Sequence, residues 1–132
     1  MLQDLPTELK IIQDKRFTRI TISGEADIDF VNTLSHVVTQ LEERNSKQAL
    51  IVDMTDVSYI DSASLGVFVR LIKIHQSTGR KIIIYKPQPM IKELFDQTGL
   101  SKMVDFCTTE DELDKLLPKA KKKRAKKLPE SE

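Results

Sequence analysis

The chain has 132 residues, 39% of them hydrophobic, with one cysteine, no tryptophan and a formal net charge of +1. That length suits a single domain with a real core. No run approaches the ~20 apolar residues of a membrane span, and Cys107 alone makes neither an internal disulfide nor a Cys-rich metal site. The opening MLQDLPTELK lacks the basic and apolar segments of a secretory signal, so a soluble cytoplasmic protein is expected.

The net charge conceals an asymmetry. Residues 118–132 carry seven Lys/Arg against two Glu, whereas residues 1–117 carry 14 basic and 18 acidic residues. The sequence therefore predicts a mildly acidic domain over 1–117 and a basic tail over 118–132. The domain lacks the basic surplus needed to neutralise nucleic-acid phosphates. The tail is low in complexity and expected to be disordered in isolation, because its like charges repel and it offers little apolar surface. A solvated extension is its plain role; contact with nucleic acid or an anionic membrane is the alternative.

In chain order, LKIIQDKRFTRITISG alternates at Phe17, Ile20 and Ile22 and breaks near Asp14 and Lys15, which predicts two short strands joined by a turn. Gly24 ends the pattern. Asp27 suits the N-cap of a helix carrying Val31, Leu34, Val38 and Leu41 inward. ALIVDM, residues 49–54, is apolar on both faces and reads as a central strand covered by helices on at least one side. TDVSYID reads as a turn, and residues 62–77 as a second helix. KIIIYK, 81–86, is another buried strand. Pro89 opens a short helix with Ile91, Leu94 and Phe95 inward, and Gly99 closes it. MVDFC gives a short last strand, and residues 110–117 a last helix using Leu113, Leu116 and Leu117. Strands alternating with helices specify an α/β sheet.

The junction SYIDSASLGVF, residues 58–68, carries the chemistry of interest. On a helical wheel Leu65, Phe68, Val69 and Ile72 form a core face, with Val67, Leu71 and Ile74 as a second apolar stripe beside it. That stripe meets either a neighbouring helix or a partner protein. Ser62 stands where an N-cap belongs, its hydroxyl accepting a backbone N–H. The same position also suits a phosphate, which the free N–H groups and positive dipole end would accommodate while the surface gains ~1.5–2 negative charges. One serine can cap when bare and switch when modified.

Catalysis is disfavoured. There is no G-x-S-x-G, the histidines at 36 and 75 fall inside predicted helices as surface or boundary residues, and the four glycines are isolated, so no phosphate-cradling loop exists. One Cys and two distant His leave no metal site. Asp53, Asp56 and Asp61 suit turns and caps better than Mg²⁺. No catalytic residue, metal or cofactor is assigned.

VSYIDSASLGVFVRLIK resembles the signature of the STAS domain, found in bacterial anti-sigma factor antagonists and in the tails of sulphate transporters: a hydrophobic residue, Asp, Ser, a small residue, often Gly, then Leu. TISGEADIDF, ALIVDMTDVSYID and GRKIIIYKPQPMIKELFDQTGLSKMVDF resemble the family's other segments in order, over roughly residues 15–117. The resemblance implies a STAS-like single domain: a small mixed sheet of about four to five strands with about four helices mainly on one face. It implies an antagonist that binds an anti-sigma factor with serine kinase activity, is released when that kinase phosphorylates the serine after the aspartate, and is reset by a phosphatase. That serine aligns with Ser62. Asp61 would cap and orient the loop, and Asp27 would lie near the phosphoacceptor. Ala63, Ser64, Val67, Leu71 and Ile74 would meet the partner. Ser64 replaces the frequent glycine and places a second hydroxyl nearby, making it the second choice for modification. The alternative function is a non-catalytic scaffold subunit of a signalling or membrane-associated lipid-transport complex, with Ser62 only a helix cap.

Overall fold

Alternating side chains in the first strands build a hairpin, and its turn is closed by the chain itself. β1 (Glu8–Gln13) and β2 (Phe17–Ala26) pair antiparallel. In the turn, the Asp14 N–H donates to the Phe17 carbonyl at 2.8 Å, and Asp14 Oδ1 accepts the Arg16 N–H at 3.0 Å. In this computed structural model the described residues are 8–26, 32–37, 39–40, 48–77 and 79–117. Asp27 and the tail from Pro118 onward lie outside them, as do Val31, Val38 and Leu41.

β3 (Ala49–Ile60), β4 (Ile82–Tyr85) and β5 (Asp105–Cys107) add in parallel to give a five-stranded sheet in the order β1-β2-β3-β4-β5. Four helices cover it: α1 (residues 32–37), α2 (Ser62–Ser77), α3 (Pro89–Thr98) and α4 (Glu110–Leu116). A 3-10 turn, Leu100–Met103, follows α3. Gly99 ends α3 in the left-handed region at φ 82°, a conformation that costs glycine nothing. Thr109 caps α4 by accepting the Glu112 N–H at 3.1 Å, and Glu112 reaches back to the Thr108 N–H at 2.8 Å.

The double-sided apolar character of β3 and β4 has two packing partners. On one face Ile20, Ile22, Leu50, Val52, Met54, Ile82 and Ile84 meet Leu34 and Val37 of α1, Phe68, Leu71 and Ile72 of α2, and Ile91 and Phe95 of α3. On the other, Ala49, Ile51, Ile83, Tyr85 and Cys107 meet Leu113 and Leu117 at α4. The mixed sheet with helices mainly on one face, expected from the resemblance, is the architecture found.

A polar cluster ties α4 to its face of the sheet. Arg19 pairs with Asp53 at 2.8 Å and with Glu110 at 3.6 Å, and its guanidinium lies 4.9 Å from the Tyr85 ring centre. Burial pushes the Asp53 carboxyl up, but Arg19 and two hydrogen bonds from Thr55 outweigh it and hold the carboxyl below its ordinary range. Hydrogen bonding to Glu110 and burial push the Tyr85 hydroxyl up to about 12. Burial, with Glu112 and Glu110 nearby, pushes the Cys107 thiol up to about 11. Asp53 is thus a strand residue in an ion pair, not a turn former.

Two expectations are corrected. TDVSYI is not a turn: β3 continues through it to Ile60, pairing with Ser23–Ala26 across two register shifts in β2. Those shifts absorb the residues that broke the sequence pattern. The buried face of α2 is also rotated from the one expected. Ser64, Phe68, Leu71, Ile72 and His75 are buried, while Leu65 and Val69 are only half-buried.

Candidate functional site

One residue separates β3 from α2. Ile60 is still a buried strand residue, and Ser62 already lies in the helix. Asp61, between them, is the cap: its Oδ1 accepts the Ser64 N–H at 2.8 Å and its carbonyl accepts the Leu65 N–H at 2.9 Å. The cap expected at Ser62 from its position alone is therefore one residue earlier, on the aspartate to which the family resemblance gave that role. An Asp at this position satisfies an orphan donor and places negative charge at the positive helix end.

Moving the cap to Asp61 changes what the two serines do. Ser62 and Ala63 are exposed on the first helical turn. Ser64 is 0% exposed and belongs to the interior. Of the two serines on the first turn of α2, only Ser62 is accessible. Of the residues expected to meet a partner, Ala63 is exposed, Val67 and Ile74 are half-buried, and Ser64 and Leu71 are in the core. Leu71 was expected in an outer stripe; the rotation of α2 turns it onto the sheet. Gly66, Arg70 and Lys73 are exposed instead.

The histidines are engaged away from Ser62. His75 is buried, its Nδ1 3.1 Å from the Leu71 carbonyl, and His36 Nε2 lies 3.3 Å from Gln40 Nε2. Among the described residues no group of three or more His, Cys, Asp or Glu is placed to hold a metal ion.

Sequence reasoning missed an apolar groove that begins at the end of β3, two residues before Asp61. It has a volume of about 230 Å³ and is lined by Tyr59, Ile60, Met90, Ile91 and Leu94, with Glu93 and Gln97 at its edge. Tyr59 is 49% and Met90 66% exposed, unusually open for side chains of their size. Reading 55–61 as a turn hid Tyr59. Met90 was legible: with Ile91, Leu94 and Phe95 inward, the residue after Pro89 faces out. Gln88 Nε2 donates to the Thr55 carbonyl at 3.4 Å and links the start of α3 to β3.

Residues 8–113 match the sequence profile of the STAS domain. The chain belongs to the STAS family. An anti-sigma-B factor antagonist of Staphylococcus aureus (strain NCTC 8325 / PS 47) is 32% identical over 92 residues, which are 70% of this chain and 83% of that protein. The Listeria monocytogenes anti-sigma-B factor antagonist is 31% identical over 97 residues, 72% of this STAS protein and 82% of the relative. The anti-sigma factor antagonist SpoIIAA in its unphosphorylated form superposes with a TM-score of 0.69 at 18% identity, covering 84% of this chain and 96% of its own. The Bacillus cell fate determinant SpoIIAA in its phosphorylated form gives a TM-score of 0.67 at 18% identity, covering 84% and 99%. At that identity the likeness establishes the shared STAS fold, and the relatives are regulatory proteins by name.

Proposed function

We propose that this STAS domain is an anti-sigma factor antagonist. Its bare form binds an anti-sigma factor with serine kinase activity, phosphorylation of Ser62 releases it, and the exchange of partners regulates transcription. The observation that carries the reading is the exposed Ser62 on the first turn of α2, one residue after a capping aspartate and two after Ile60, which lines the Tyr59–Met90 groove. Phosphate there adds ~1.5–2 negative charges and three acceptor oxygens at a helix start that tolerates anions. The fold is left intact, while a partner seated over Ser62 and the groove meets a charge it must desolvate or repel. A phosphatase restores the binding form. The fold this chain shares is found in SpoIIAA both in its unphosphorylated and in its phosphorylated form. Asp27, outside the described residues, is proposed as a second group supporting the phosphoacceptor.

The test has two parts. Site-resolved mass spectrometry of the protein from its native cells, on the peptide spanning 58–70, is expected to place phosphate on Ser62. Immobilised wild-type protein is expected to retain the kinase, and Ser62→Asp to lose it. Phosphate on Ser64 alone, or equal retention by both forms, would overturn the assignment. Absence of phosphate in growth, starvation and stress would favour a scaffold subunit.

A further inference from the structure

β1 stands at the end of the strand order, so its outer edge has no strand beside it among the described residues. Six residues long, it carries two exposed large apolar side chains, Ile11 at 41% and Ile12 at 56%. The opposite edge strand, β5, has three residues. Long, apolar, unprotected edges pair with other strands unless something blocks them.

The hairpin fixes which backbone groups point outward. Asp14 donates to Phe17, and Ile12 stands opposite Arg19 in the same register. Antiparallel strands alternate, so Lys10, Ile12 and Asp14 direct their N–H and C=O toward β2. Leu9 and Ile11 direct theirs outward. A strand arriving antiparallel must therefore bond at Ile11 and place Ile12 in a position between hydrogen-bonded pairs, where side chains lie closest.

We propose that two copies of this chain associate through β1, antiparallel about a two-fold axis at Ile12, so that their sheets form one continuous sheet of ten strands. This inference is independent of the role assigned to Ser62. Charge selects a second copy, and this register, as the occupant. With Ile12 opposite Ile12 of the second copy, Lys10 stands opposite Asp14 of that copy, and the symmetry repeats the pair. Sliding by one alternation places Lys10 opposite Ile12 or removes Lys10 from any acid. Lys10 is exposed, and Asp14 uses Oδ1 for the Arg16 amide and for a long ion pair with the Arg16 guanidinium at 3.9 Å, leaving its other oxygen able to accept from Lys10. An isologous contact closes at two copies and does not propagate. The junction lies at the end of the central strand β3, two strands from the contact, so the dimer presents two exposed Ser62 side chains.

The full chain would be examined by sedimentation across a wide concentration range and by residue-resolved amide exchange at its two ends. A concentration-dependent dimer is expected, with the Ile11 amide gaining protection on association and the Ile12 amide protected in both states. Lys10→Asp faces Asp14 of the other copy twice and should weaken association about tenfold or more. The swap Lys10→Asp with Asp14→Lys should restore it, circular dichroism confirming that both variants are folded. A monomer at every concentration would overturn the proposal. So would a dimer indifferent to Lys10→Asp, a swap that fails to restore pairing, or Ile11 protection that does not change with concentration, which would mean that the chain covers its own edge.

Discussion

Ser62 and Ser64 share a helical turn, yet a carboxylate placed at each should have opposite consequences. Ser64 has no exposed surface, and its N–H is held by the Asp61 carboxylate at 2.8 Å. Ser64→Asp would bury a charge beside another of the same sign. The effective penalty for a buried ion is several kcal/mol, about 4 as a working figure. Against a total stability of about 5–15 kcal/mol this is about a quarter to four-fifths of the fold's margin. With a urea slope of about 1.5 kcal/mol/M the unfolding midpoint should fall by about 2–3 M. Ser62→Asp adds the same group on the exposed first turn. There the helix end favours it by about 0.3–1 kcal/mol and neighbouring Asp61 opposes it, so the midpoint should move by less than about 0.5 M. Urea titration followed by far-UV circular dichroism measures both. Ser64→Ala separates loss of the hydroxyl, about 1 kcal/mol, from burial of charge. A Ser64→Asp protein as stable as wild type would refute the placement of Ser64 in the core and make it as eligible for modification as Ser62.

Three further outcomes follow from the same structure. Asp61→Ala should cost about 1 kcal/mol, and Asp61→Asn only a few tenths, because asparagine keeps the capping oxygen; in thermal melts this is a Tm loss of about 4 °C against almost none. Asp53 is held below its ordinary range in the fold, so its stabilising contribution is complete above the unfolded carboxylate value, about 4, and disappears as pH falls through the folded value. Urea midpoints measured down the acid limb should fall less steeply in Asp53→Asn. Tyr85 and Cys107 have the opposite sign: the fold retains their protons up to about 12 and about 11, so their contribution is complete below the unfolded values and lost as pH climbs through those numbers. Cys107 is buried as well, and iodoacetamide should label it slowly in the native protein and fully in urea, read by mass spectrometry.

Much of the architecture was legible because its signals were local. The Asp14–Lys15 break, the double-sided apolar runs at 49–54 and 81–86, Pro89 at a helix start and Gly99 at its end each act within a few residues, and each stands where expected. What was not legible depended on pairing across the chain. Asp56 and Ser58 look like turn formers, yet β2 supplies a partner strand whose two register shifts keep β3 extended to Ile60. That extension sets the start of α2 and turns Ser64 and Leu71 inward. Periodicity gave the width of the apolar arc but not its phase, because the phase is set by how the helix leaves the sheet. His75 illustrates the same limit: its place in the core is decided by the rotation of α2 and made tolerable by the Leu71 carbonyl.

The single-residue passage from β3 to α2 leaves the domain without slack at the place where it is read. Inserting or deleting one residue there would turn the whole of α2 by about 100° relative to the sheet. Phe68, Leu71 and Ile72 would leave the core together, and residue 62 would no longer face outward. Residues 62, 63 and 66 are exposed, so their side chains can change without repacking the core, while the count of residues cannot. Relatives of this protein should therefore vary in which side chains they display on the first turn of α2 and keep the spacing between strand end, acid and serine free of gaps. A sequence that broke that spacing would have to build its recognition surface elsewhere.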